Sequence, residues 1–214
     1  LNRTQLQILI IQVTQKINKE LIMQVIVNNQ EIDISLEGEK TLGEFLKAFE
    51  QNCAENDATI IGIAVNDEQL SADTMENTFL IPLQDVNTLE LSTVSSTDIN
   101  NSLQELARQS SNIAQNFCNI PILYQTGKDG EAASYITEFA DFFNAFCRTI
   151  SLSSLFPNTY DTIRIHDQQV SEFLSSFSQI LVDFEKALKD NDIVLIGDLA
   201  EYEIAPRLQS IALL

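Results

Sequence analysis

A chain of 214 residues with 44% hydrophobic content holds enough apolar side chain for one large or two small cores, which excludes a disordered segment. Twelve Lys and Arg against 31 Asp and Glu give a formal charge of -19, a field that repels nucleic acid and anionic lipid. No apolar run approaches the roughly 20 residues of a bilayer span, and the first residues lack the order of a secretory signal, so neither nucleic acid nor membrane is an expected partner and the expected location is cytoplasmic.

Residues 1–22 are the basic part of the chain, with Arg3, Lys16 and Lys19 against Glu20 alone. Leu6, Leu9, Ile10, Val13, Ile17 and Leu21 fall at helical spacing, while the dense "ILIIQV" also suits a strand; of the two, the spacing favours an amphipathic helix that docks on an acidic surface, its own or another subunit's. The second possibility is homo-oligomer formation through this segment. A third reading makes it an extension upstream of a natural start at Met23.

From Met23 the period shortens. In "QEIDISLEG", Ile32, Ile34 and Leu36 alternate with Asp33, Ser35 and Glu37, a half-buried strand that follows "MQVIV" across a polar turn. "TLGEFLKAFEQNCAE" sets Thr41 and Glu44 at capping-box spacing and steps Leu42, Phe45, Leu46, Phe49 and Cys53 along one helical face. "TIIGIAV" is a further strand, "NDEQL" a turn, and "NTLELSTV" a last strand with Leu89 and Leu91 inward. The order hairpin, helix, strand, short pieces, strand over 23–95, carried by "MQVIVNNQEIDISL", "TLGEFLKAF", "IIGIAVNDEQL" and "LQDVNTLELST", resembles the ubiquitin-like β-grasp family. Modifiers and sulfur carriers of that family end in a free Gly-Gly. Here the last strand runs on into a second domain, so the resemblance implies a docking module and neither conjugation nor sulfur carriage.

The polar stretch "STVSSTD", 92–98, is read as a linker, with the boundary near Ser95 and a second domain over 97–214. Ile99, Leu103, Leu106, Ser110, Ile113 and Phe117 predict a first helix ending near Pro121. Ala132, Tyr135, Ile136, Phe139, Phe143, Phe146 and Ile150 predict a second. After a connection containing "LFPNTYD", a third carries Val170, Phe173, Leu174, Phe177, Ile180, Leu181, Phe184 and Leu188. A fourth starts near Asp192, its stripe formed by Ile193, Ile196, Ala200, Ile204, Leu208 and Ile211. The expected fold is therefore α+β, an N-terminal ubiquitin-like β-grasp domain plus a C-terminal antiparallel four-helix bundle. The tail "FEKALKDNDIVLIGDLAEYEIAPRL" is similar to the last two helices of an uncharacterised group of bacterial helical proteins. In length and helix count the bundle resembles flagellar-type export chaperones.

Chemistry is sparse. Cys53, Cys118 and Cys147 show no C-x-x-C spacing, and His166 is the one histidine, expected at a helix start or in a loop, so no metal site and no disulfide framework is expected. The acids of "GDLAEYEIAPRL" separate on a helical projection: Asp198 and Glu201 face water, and Glu203 lies at the stripe's edge four residues before Arg207. Paired-carboxylate catalysis requires two such groups in one space, and this spacing does not supply it. No phosphate loop, nucleophile elbow or H-E-x-x-H motif is present. The expectation is a non-enzymatic adaptor or chaperone-like protein without cofactor, whose partner is a protein with a basic amphipathic segment. Phe139, Phe143, Phe173, Phe177 and Glu203 are the candidate binding residues. The alternatives are an apolar small molecule among those four phenylalanines, or an enzyme using carboxylates near Glu203.

Overall fold

The computed structural model describes residues 23–71 and 73–214. The amphipathic helix and the subunit contact expected of 1–22 lie outside the described residues. The chain forms two compact units, divided between Ser95 and Ser96.

The N-terminal unit runs β1 (Gln24–Val27), β2 (Gln30–Ile32), α1 (Leu42–Glu55), β3 (Ala58–Val65), β4 (Glu68–Gln69), α2 (Met75–Phe79), a 3-10 turn (Leu83–Asp85) and β5 (Thr88–Ser95). These strands make one mixed sheet in the order β2-β1-β5-β3-β4, with β1 parallel to β5 and every other pairing antiparallel. Two-residue turns close both hairpins, and each takes positive φ at both central residues: Asn28 and Asn29 at 50° and 65°, Asn66 and Asp67 at 50° and 69°. Asn and Asp tolerate that region, and its twist matches the strands. The leading asparagine of each turn also fastens it to β5. Asn28 Oδ1 accepts the Thr93 N–H at 2.9 Å, and Asn66 Oδ1 accepts the Thr88 N–H at 3.1 Å.

Alternation fixes which face is buried. In β5, Leu89 and Leu91 point into the core with Val25, Leu42, Leu46 and Leu83, while Glu90 stays in water. β2 stops at Ile32, opposite Val25; Ile34 and Leu36 still pack against the core outside the strand.

α1 starts on the predicted capping box. Thr41 Oγ1 accepts the Glu44 N–H at 3.3 Å, and Glu44 Oε2 accepts the N–H groups of Lys40 at 2.7 Å and Thr41 at 3.3 Å. These backbone donors hold the Glu44 carboxyl below its usual range. A carboxyl whose pKa is lowered on folding stabilises the fold above its unfolded pKa, and that contribution is lost as pH falls through the folded value. Thr41→Ala is therefore expected to cost about 0.5–2 kcal/mol in urea unfolding at neutral pH. The cost should shrink in acid, where Glu44 protonates and its half of the box opens.

The C-terminal unit is mostly helical: α3 (Ser96–Gln125), α4 (Asp129–Ser153), α5 (Pro157–Tyr160), α6 (Val170–Asp190), α7 (Ile193–Asp198), a π turn (Leu199–Ile204) and α8 (Ala205–Ile211). Four features differ from the sequence reading. Residues 92–98 are not a linker, since β5 runs to Ser95 and α3 begins at Ser96. The first helix does not stop at Pro121 but continues to Gln125, with the proline ring seated on Gly197, where a Cβ would lie 3.3 Å from two ring carbons. The 154–169 connection holds α5 and a small hairpin, β6 (Arg164–Ile165) with β7 (Gln168–Gln169), turned by His166 and Asp167 at φ 50° and 62°. The fourth helix is not uniform, because the π turn interrupts it.

Phe117, Phe146, Phe177, Ile196 and Ile204 are fully buried at the centre of this unit. Phe142 is buried where the sequence stripe had Phe143, which is half-buried. α3 packs against α4 on one side and against the α7–α8 rod on the other. Ser110, buried in α3, donates its hydroxyl to the Leu208 carbonyl at 2.6 Å and so ties α3 to α8. Among the described residues no buried side-chain polar atom lacks a partner.

Candidate functional site

The acids of "GDLAEYEIAPRL" do not converge. Asp198 is exposed, Glu201 is half-buried, and Glu203 is paired with Arg207, whose Nη1 donates to Glu203 Oε2 and to the Glu203 carbonyl, both at 2.8 Å. The exposed Tyr202 is one neighbour that this stretch perturbs: its phenol is pushed up first by Glu201, then by desolvation and by Asp198. Among the described residues no group of His, Cys, Asp and Glu is arranged to hold a metal ion.

The five candidate binding residues form one neighbourhood. Phe177 is its hub: its ring centroid lies 5.2 Å from Phe143, 5.7 Å from Phe173 and 6.3 Å from Phe139. The Arg207 guanidinium sits 6.0 Å from the Phe177 ring, so Glu203, by holding Arg207, stands at the rim of the same cluster. The rings touch one another at edge-to-face and tilted angles, and a ligand there would have to displace them.

The cysteines are held as thiols. Burial pushes Cys53 up, aided by Glu50; burial and Glu201 push Cys118 up; burial alone raises Cys147. None has the cationic neighbour that makes a reactive thiolate. His166 Nδ1 lies 3.2 Å from the Ser210 hydroxyl, which also reaches the Pro206 carbonyl at 2.9 Å.

The surface that sequence reasoning missed is at the start of α7. Ile193, Val194 and Leu195 are 43%, 74% and 41% exposed in succession, although Ile193 was expected in the buried stripe. Gly197 brings this end of α7 against Pro121 of α3, and the neighbouring Ile122 is 58% exposed. Exposed Tyr202 follows along the rod. Asp190, Asp192, Asp198 and Glu201 lie in the same stretch, and the cation just before them, Lys189, is taken by Glu185 at 2.6 Å. Asp192 Oδ1 accepts the Leu195 N–H at 3.0 Å, which caps the helix and fixes the orientation of its first turn. An exposed apolar run flanked in sequence by carboxylates results. A signal for it was present in "DNDIVLIGD": four consecutive aliphatics on a helix cannot all face one core.

Residues 91–213, more than half of the chain, match the model of a family described as a domain of unknown function, DUF8042. The chain belongs to the DUF8042 family. The DUF8042 match covers the helical unit together with the end of β5, and residues 23–95, the sheet unit, match a second model, described as the TP0873 N-terminal domain. An uncharacterized protein of Treponema pallidum (strain Nichols) is 27% identical over 184 residues, covering 86% of this chain and 92% of that one, so the similarity extends across both units. No solved structure gives a significant match. Among the described residues no helix is long and apolar enough to cross a membrane.

Proposed function

We propose that this protein is a non-enzymatic adaptor or chaperone-like protein that holds a basic amphipathic segment of a partner protein on its helical unit. The observation that carries the reading is the exposed run Ile193–Leu195, flanked in sequence by Asp190, Asp192 and Asp198. Soluble surfaces seldom leave such aliphatics together unless something covers them. The flanking carboxylates select what does: an apolar helical face flanked by Lys or Arg gains both the burial and the charge pairing, whereas an acidic or nucleic partner is repelled.

In this reading the helical unit is an antiparallel four-helix bundle of α3, α4, α6 and the α7–α8 rod, and the N-terminal unit is a ubiquitin-like β-grasp domain. The strand order β2-β1-β5-β3-β4, the parallel β1–β5 pair and the single long helix between β2 and β3 support the second assignment. Residues 1–22 have the basic, apolar composition of the proposed ligand. Titrating the full chain with a Leu/Lys amphipathic peptide tests the proposal. Saturable binding is expected, weakening with salt mainly through a slower association rate, and tightening for a chain that starts at Met23. Binding of the same strength at low and high salt contradicts the electrostatic selection.

A further inference from the structure

The N-terminal unit carries an open strand edge that the adaptor reading leaves unused. β4 pairs only with Ala64 and Val65 of β3, and the Leu70 N–H adds one bond to the Ile63 carbonyl at 2.9 Å. Upstream of that point, among the described residues, β3 pairs with β5 alone, and its register shifts between Ile60 and Gly62, leaving Ile61 as an extra residue. The Ile60 N–H meets no strand; it is taken by Glu50 Oε2 of α1 at 2.9 Å, while Glu50 Oε1 accepts the Thr59 hydroxyl at 2.7 Å. Glu50 is therefore engaged in holding the edge. The strand Ala58–Val65 contains neither charge nor proline, two of the devices that protect a free edge from pairing.

Beside this edge lies a cleft of about 420 Å³ between α1, β3 and α2, walled by Leu46, Ile60, Ile61, Leu70, Met75 and Phe79. Ile61 and Met75 are each 39% exposed there. Gly43 closes one end: a Cβ at that position would lie 2.9 Å from the Phe79 carbonyl oxygen, so α1 and α2 approach there backbone to backbone. Lys47 stands on the cleft's wall. It is a rare cation in an acidic unit, and it makes no ion pair among the described residues.

We propose that this cleft is a docking site for an extended segment of a partner protein, one that adds to the β3 edge at Ile61 and Gly62, beyond the Glu50 contact, places alternate apolar side chains on Leu46, Met75 and Phe79, and sets a carboxylate against Lys47. A strand is the occupant that uses all three features at once, because main-chain groups at the edge give affinity while every second side chain reaches the pocket. Its charge is opposite to that of the ligand proposed for the helical unit, so the two sites take different partners and fail independently.

The test uses the full chain and a peptide of about eight residues, the length of a strand, with alternating valines and one aspartate. Saturable binding is expected, with amide shifts at the cleft residues and slowed hydrogen exchange at Ile61. Lys47→Glu should weaken binding about fivefold to tenfold, and a peptide with lysine in place of the aspartate should regain that factor on the same variant. A peptide with proline at its central position should lose binding, since it cannot complete the pairing. Ile61→Asp should abolish binding, with its melting curve checked against the parent. Shifts confined to other surfaces, equal binding of the proline peptide, or indifference to Lys47→Glu would each overturn the proposal. Capture of a small apolar molecule by the cleft, with no peptide bound, would overturn it too.

Discussion

Phe177→Ala is expected to cost about 3–5 kcal/mol. The ring is fully buried and touches Phe139, Phe143 and Phe173, which come from α4 and from its own helix, while Arg207 of α8 lies over its face. Those neighbours are fixed by further packing: Phe139 stands 4.8 Å from Phe117, and Arg207 is tethered to Glu203. They cannot all move inward, so most of the phenyl volume remains as a cavity, and the cavity term adds to the lost transfer energy. A stability of about 5–15 kcal/mol makes that a large fraction of the whole. Urea unfolding followed by helical circular dichroism measures it. Phe143→Ala removes the same chemistry from a half-buried position and should cost clearly less; equal costs would mean that the hub is misplaced.

Ile204→Ala is expected to cost about 2–5 kcal/mol, while Asp198→Ala, six residues earlier on the exposed side, should stay within about 0.5 kcal/mol. The contrast depends on the π turn. In an α-helix, steps of four residues precess around the axis; a turn closed i→i+5 takes up one more residue and halts that drift. Ile196, Ala200 and Ile204 therefore all stay buried at four-residue steps, and Ala205 is buried beside Ile204. Ile193, in the first turn of α7, is exposed. A destabilisation by Asp198→Ala equal to that of Ile204→Ala would show that the acid meets a buried partner and would return the stretch to consideration as a chemical site.

The sheet was legible because its determinants are local. Alternation in "LELS" placed Leu89 and Leu91 inward, and Thr41 with Glu44 announced the start of α1. The Asn-Asn and Asn-Asp pairs are turn sequences whose backbone conformation follows from the residue types. The helical stripes were legible for a similar reason. The misses arise where a distant partner decides. Pro121 stays inside a helix whose ring-bearing turn is seated on Gly197, and that partner lies far along the chain. His166-Asp167 turns a hairpin that flanking periodicity does not announce, since each strand has two residues. The π turn leaves no period of its own.

Of the candidate site, the aromatic residues Phe139, Phe143, Phe173 and Phe177 and the rim acid Glu203 were found from spacing, and the structure gathers them into one cluster. The exposed aliphatics of α7 were not found, because a projection that assumes a uniform helix assigns Ile193 to the core.

Val194→Asp tests the central claim most directly. Val194 is the most exposed of the three aliphatics, at 74%, so its replacement should leave the melting curve within the range of ordinary surface substitutions. It removes apolar surface from the patch and keeps the acidic field. The account predicts that the variant, folded like the parent, loses at least about tenfold in affinity for the Leu/Lys amphipathic peptide at every salt concentration, chiefly through faster dissociation. An unchanged affinity in a folded Val194→Asp protein would show that the basic segment is held by charge alone or elsewhere, and would contradict the assignment of this surface.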